Sequence, residues 1–143
     1  MKIPNQIDIK IEGKPKPQKR HRHTKKGFTY DPSSKDKKDL IALIHSQAPK
    51  KPFENGITLY VRFCMPYAKK HYRTGKFSNE LKPNPPISYK IKPDIDNLLK
   101  FVMDVGNGVL WKDDSQIYKV DMEKIYSVNG YTKITVVEDT WED

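Results

Sequence analysis

Residues 57–64 read ITLYVRFC, a stretch in which large apolar side chains alternate with other residues. This period of two predicts a β-strand with one buried face. Similar alternation is found earlier, at residues 7–12, and later, at residues 117–126 and 131–137. The last two stretches flank Asn129-Gly130, the strongest short hairpin signal. The pattern therefore predicts a small mixed β-sheet that ends in a C-terminal β-hairpin.

Two stretches between these strands are typical of helices. The first covers residues 34–47 and follows Asp31-Pro32-Ser33, where a cap residue and a proline favour a helix start. The second runs from about Asp96 to Val105 and ends at Gly106 or Gly108, since glycine commonly terminates helices. We therefore expect an α+β fold, a single domain over residues 1–143, in which two main helices flank the sheet.

The second helix has an unusually wide apolar face. Leu99 and Met103 extend it beyond the roughly 100° stripe that a helix needs to pack on its own core. A second subunit and a covering loop are both candidates for the additional contact. A helix sandwiched within one subunit needs the same pattern, so the two hypotheses stay open.

The chain is strongly basic. It has 143 residues, with 27 Lys and Arg against 18 Asp and Glu and a formal net charge of +9. Much of the positive charge lies in a basic arm, residues 13–27, and in a long basic, proline-rich loop, residues 66–92. A partner rich in phosphate is the first expectation.

Several protein classes are disfavoured. The longest apolar run, residues 40–44, is far shorter than the roughly 20 residues of a membrane span. The N-terminus lacks the pattern of a signal peptide, so we expect a cytoplasmic protein without membrane contact. The single cysteine, Cys64, excludes an internal disulfide and a zinc site built from several cysteines.

Acidic residues are concentrated where the second helix begins and just after it ends. Asp94 and Asp96 precede and open the helix, and Asp113 and Asp114 follow it. Three carboxylates that converge would suit a hard cation such as Mg²⁺. The ordinary alternatives are a helix cap, a turn and surface ion pairs with Lys100.

The long loop interleaves aromatic and basic side chains. Aromatic rings in such a mixture stack on unpaired bases while the cations hold the backbone. They can equally anchor the loop to the core. The aromatic residues are Tyr67, Tyr72, Phe77 and Tyr89.

At these residues the sequence resembles a known family, the RusA-like endodeoxyribonucleases that resolve Holliday junctions in bacteria and their phages. The resemblance rests on KPDIDNLLK at residues 92–100, on Asp104 and on GVLWKDDSQI at residues 108–117. The order of strands, arm and helices is also similar over nearly the whole chain. The loop at residues 67–90 is not part of the compact family pattern.

The resemblance implies a catalytic site and a reaction. Asp94, Asp96 and Asp114 would be the metal ligands, and Lys100 would complete the catalytic set. Asp113 is the alternative third ligand. Mg²⁺ is the implied cofactor, with Mn²⁺ as a substitute. A bacterial or phage-encoded homodimer would nick opposing strands of a four-way junction during recombination and repair.

The basic residues of the arm and the loop are the candidate DNA contacts. A non-catalytic basic nucleic-acid-binding protein is the main rival hypothesis. A metal-dependent nuclease for other branched DNA, or for duplex DNA, is the second. The candidate DNA-binding residues are Lys19, Arg20, Arg22, Lys69, Lys70, Arg73 and Lys76.

Overall fold

In the computed structural model, the strand at residues 57–66 (β4) lies inside a mixed four-stranded sheet, whose order is β1 (Asn5–Glu12), β6 (Tyr131–Glu138), β4 and β5 (Ile117–Ser127). Strand β4 pairs antiparallel with β6 and parallel with β5, and β1 pairs antiparallel with β6. The structure describes residues 5–19, 22–23, 26–27, 29–30 and 34–139. The elements are β1 (Asn5–Glu12), β2 (Arg22–His23), β3 (Thr29–Tyr30), α1 (Ser34–His45), β4 (Ile57–Pro66), α2 (Ile95–Gly106), β5 (Ile117–Ser127) and β6 (Tyr131–Glu138).

The alternation in β4 gives this strand its buried face. Ile57, Leu59, Val61, Phe63 and Met65 are all at most 3% exposed and face the helices. Burial of apolar surface stabilises the fold by about 25 cal/mol for each Å² that is removed from water. Burial of these five side chains therefore fixes the register of β4, because a slip by one residue would turn them to the other face.

The predicted α+β fold is confirmed, and each predicted helix and strand is found within two residues of its predicted ends. The C-terminal hairpin has its turn at residues 128–130, as the Asn-Gly pair predicts. Its two arms are separated, however, because β4 lies between them and pairs with both. The short strands β2 and β3 form a separate antiparallel pair.

Helix α2 packs on the sheet, and α1 packs against α2 and β1. Leu98 and Phe101 are buried in the core, and Leu99 and Met103 are partly buried against it. The wide apolar face of α2 is therefore used within the subunit. No helix among the described residues is long and apolar enough to cross a membrane.

The C-terminal end of α2 is packed against a fully buried indole. Trp111 is 0% exposed, and its Nε1 donates a hydrogen bond of 2.7 Å to Asn107 Oδ1. The ring lies directly over Gly106, where a Cβ atom would be closer to the indole carbons than real Cβ contacts are. Glycine is therefore required at residue 106 for steric reasons.

We expect Gly106→Ala to destabilise the protein by about 1–3 kcal/mol, because the added methyl group overpacks the contact with Trp111. Urea unfolding measures this change. The matched experiment repeats the substitution in a Trp111→Leu background, where the smaller side chain leaves room. Equal effects of Gly106→Ala in the two backgrounds would contradict the steric explanation.

Candidate active site

The two aspartates at the start of α2 are held in different ways. Asp94 occupies the N-cap position with extended backbone, and its carbonyl accepts the helical bond from Leu98 N at 3.2 Å. Its side chain does not cap the helix. Asp96 lies in the first helical turn and is exposed. Both carboxylates therefore lie at the positive end of the helix dipole, which favours negative groups and their ligands.

An open cleft of about 600 Å³ brings these acids together with cationic residues. Asp96, Lys100 and Asp104 follow one another at four-residue intervals on α2, so they share one helix face, as the sequence predicts. The residues that line the cleft are Gln18, Lys19, Asp94, Asp96, Asn97, Lys100 and Asp104.

The charged groups of this cleft differ in their partners. Asp104 accepts from Lys37 Nζ on α1 at 2.9 Å, an ion pair that links the two helices. Among the described residues, the charged groups of Asp94, Asp96 and Lys100 form no hydrogen bond or ion pair. These three side chains therefore remain available to a ligand.

Residue Gln18 attaches the basic arm to this site. Its backbone N–H donates to the carbonyl of Asn97, in the first half of α2, at 2.9 Å. Lys19 follows directly and lines the cleft. Of the other predicted arm contacts, Arg20 lies outside the described residues, and only the backbone of Arg22 is described.

Asp113 and Asp114 have different environments in the short 3₁₀ turn Asp114–Gln116, which lies against α2. The carboxylate of Asp113 accepts from the backbone N–H of Ser115 at 3.0 Å and so caps the turn. Hydrogen bonding from Ser115, through its side chain first and its backbone second, lowers the pKa of Asp113. The carboxylate of Asp114 has no such partner among the described residues.

The structure does not place Asp114 in the cleft with Asp94 and Asp96. Within the described part of the chain, no three His, Cys, Asp or Glu side chains are grouped closely enough to hold one metal ion. The predicted site is thus brought together for Asp94, Asp96 and Lys100, while Asp114 lies on the neighbouring turn.

The long basic loop is docked on β5 by aromatic side chains. The ring of Tyr67 stacks on Tyr126 with 4.9 Å between centroids, and Tyr89 meets the same ring edge-on at 4.9 Å. Backbone bonds join Tyr89 N to Lys124 O and Tyr126 N to Ile87 O. Two of the four loop aromatics therefore anchor the loop to the sheet.

The tip of the loop carries exposed cations beside a third aromatic ring. Phe77 is 39% exposed, and the guanidinium of Arg73 lies 4.1 Å from its centroid. Arg73 also donates to Glu80 at 2.6 Å, which offsets part of its charge. Lys69, Lys70 and Lys76 are exposed. These lysines are the least compensated of the predicted loop contacts.

Asp113→Ala is expected to lower the stability of the fold at neutral pH and much less in acid. A carboxylate whose pKa is lower in the folded state stabilises the protein above its unfolded pKa, near 3.9, and loses this effect as the pH falls through the folded value. Urea midpoints at several pH values test this, with Asp114→Ala as the control. A difference from wild type that persists undiminished below pH 4 would contradict the capping role.

Comparison with known proteins identifies the family. A family model described as Endodeoxyribonuclease RusA matches residues 12–137, a range that includes the cleft and the turn at Asp114. The protein YqaN of Bacillus subtilis (strain 168), described as uncharacterized, is 30% identical over 110 residues, which are 76% of this chain and 77% of that protein. This chain belongs to the RusA endodeoxyribonuclease family.

Proposed function

We propose that this protein is a Mg²⁺-dependent, structure-selective endodeoxyribonuclease that resolves four-way DNA junctions by paired symmetric nicks during recombination and repair. The observation that carries the proposal is the grouping of Asp94, Asp96 and Lys100 in one open cleft, with no protein partner for their charged groups among the described residues. Family membership indicates endodeoxyribonuclease activity and supports the DNA-cleaving part of the proposal.

The donor groups of the cleft fit Mg²⁺. This ion takes oxygen ligands and is commonly bound through one or two carboxylates, with water and phosphate oxygens completing its shell. Asp94 and Asp96 would supply the two carboxylates. When bound, Mg²⁺ polarises the scissile phosphate and lowers the pKa of a water molecule. Mn²⁺ accepts similar oxygen ligands, so we expect it to substitute.

Asp114 is the proposed third ligand. Its carboxylate has no partner among the described residues, whereas that of Asp113 caps the 3₁₀ turn. Asp113 would have to ligate a metal ion while one of its carboxylate oxygens is engaged in this bond. The difference favours Asp114 over Asp113.

Lys100 would act on the charge of the reacting phosphate. It lies one helical turn after Asp96 on the wall of the same cleft. A fixed ammonium group stabilises negative charge as it develops in the transition state. Orientation of the attacking water is the alternative role for this residue.

The basic side chains around the cleft would hold the DNA. Lys19 lines the cleft itself, and Lys69, Lys70 and Lys76 are exposed on the loop. Cations of this kind position a phosphate backbone without reading its sequence. Cutting two opposing strands in a paired manner requires two active sites, so a homodimer is part of the proposal. A cytoplasmic location stays a prediction from the sequence.

Asp94→Asn and Asp96→Asn are each expected to abolish Mg²⁺-dependent cleavage of a labelled four-way junction. Loss of about 4 kcal/mol of transition-state stabilisation corresponds to roughly 10³-fold in rate. Junction binding should be retained or tightened, because each change removes a negative charge that faces phosphate. The cleavage and gel-shift assays use Mg²⁺, Mn²⁺ and EDTA, with a linear duplex for comparison.

The matched control is Asp121→Asn, which alters an exposed carboxylate on the sheet face away from the helices. It should cut at the wild-type rate. Binding without cutting by the wild-type protein in every metal would favour the non-catalytic alternative. Equal cutting of duplex and junction would favour a nuclease with a broader substrate range.

Lys69→Ala combined with Lys70→Ala should weaken junction binding and flatten its salt dependence. Each phosphate contact contributes about −0.9 to the slope of log affinity against log salt. Loss of two contacts should therefore make the slope less steep by about 2. The control pair is Lys10→Ala with Lys133→Ala, which are two exposed lysines on the sheet face away from the helices. Equal slope changes in both pairs would show a general charge effect and contradict a DNA contact at the loop.

A further inference from the structure

The side chain of Lys124 crosses from β5 to the chain segment that leads into the cleft. Its Nζ donates to the carbonyls of Ile91 and Pro93, each at 2.8 Å. In the register of the sheet Lys124 lies beside Phe63, whose side chain is in the core. Lys124 therefore lies on the helix-bearing face of β5, where an apolar side chain is the usual occupant.

Tyr89 binds the carbonyl of the residue between Ile91 and Pro93. Its hydroxyl donates to Lys92 O at 3.3 Å, and its ring lies 5.3 Å from Lys124 Nζ. Burial, with a smaller effect of Tyr126, raises the pKa of the Tyr89 hydroxyl, which therefore stays protonated as a donor at neutral pH. Lys124 and Tyr89 together form a carbonyl clamp on three successive residues directly before Asp94.

Within the described part of the chain, no carboxylate forms an ion pair with Lys124. Its two hydrogen-bond acceptors are the backbone carbonyls of Ile91 and Pro93. A half-buried ammonium group is costly unless its donors are satisfied. The two carbonyls satisfy two of its three N–H donors, and in return they are fixed relative to the sheet.

The carbonyl clamp affects the position of Asp94 more than that of Asp96. Asp96 lies within α2, where helical hydrogen bonds fix its backbone. Asp94 has extended backbone and is bonded to the helix only through its carbonyl, which accepts from Leu98 N, so its position also depends on the residues that precede it. Loosening residues 91–93 would therefore displace Asp94 relative to Asp96 and spread the carboxylate pair.

We propose that Lys124 is a positioning residue for the metal site at Asp94 and Asp96, which it aligns by holding the carbonyls of Ile91 and Pro93. The proposal rests on the proposed function, since it assigns a residue that positions the proposed metal ligands of the same site. Groups that orient metal ligands typically change metal affinity by about 10–100-fold when they are removed.

The test is Lys124→Met, which keeps most of the side-chain length and removes the three donors. Calorimetric titration with Mn²⁺, without DNA, should show affinity about 10-fold weaker than wild type. The Mn²⁺ concentration for half-maximal junction cleavage should rise by the same factor, with junction binding in EDTA unchanged. Lys124→Arg, which retains donors, should bind Mn²⁺ more tightly than Lys124→Met.

The control is Lys119→Met, the same change at an exposed lysine on the same strand. Wild-type affinity in Lys124→Met, or equal loss in Lys119→Met, would overturn the positioning role. If Lys124→Met does not fold, Tyr89→Phe replaces it, with an expected two- to fivefold loss that is absent in Lys119→Met, and unchanged affinity would overturn the proposal.

Two outcomes separate this proposal from the proposed function. Mn²⁺ binding that depends on Asp96 but no junction cleavage by the wild-type protein would refute the proposed function and leave the clamp testable by titration. Absence of Mn²⁺ binding by the wild-type protein would overturn both.

Discussion

The pairing of β4 with β5 on one side and β6 on the other is the constraint on which the rest of the structure depends. Because β4 and β5 are parallel, the chain must return from the end of β4 to the start of β5. Residues 67–116 make this return, and α2 forms its last regular element. The N-terminus of α2 and its acids therefore lie toward the carboxyl ends of the two parallel strands, where open α/β sheets commonly bind ligands.

Much of the secondary structure was predictable because the signals are local. The alternation at residues 57–64 and the apolar spacing on α2 each follow from one buried face, and short-range patterns report such faces well. The order of strands was not predictable in this way. An Asn-Gly turn indicates a hairpin, but it does not show that β4 lies between the two arms, because that depends on pairing between residues 60 or more positions apart.

The candidate site was likewise predictable only where its residues are close in sequence. Asp94, Asp96 and Lys100 are close in sequence, so the spacing predicted their common location. The different environments of Asp113 and Asp114 depend on one hydrogen bond that the backbone N–H of Ser115 donates to Asp113, and the sequence pattern did not distinguish the two residues. Lys124 gave no signal at all, because a lysine in an alternating strand is normally assigned to solvent. Its contact with the segment before Asp94 is seen only in the structure, where the carbonyls of Ile91 and Pro93 lie beside it.

The basic arm is joined to α2 through the backbone bond from Gln18 to Asn97, and helix α1 is joined to α2 through the ion pair from Lys37 to Asp104. The bond at Gln18 keeps the next residue, Lys19, beside the cleft before any ligand binds, so little ordering of this residue is needed on binding. Lys19 and Lys100 together place positive charge on the walls of the cleft that contains Asp94 and Asp96. An incoming phosphate backbone would meet these charges as a pre-assembled counterion layer, already gathered where the acids would otherwise repel it.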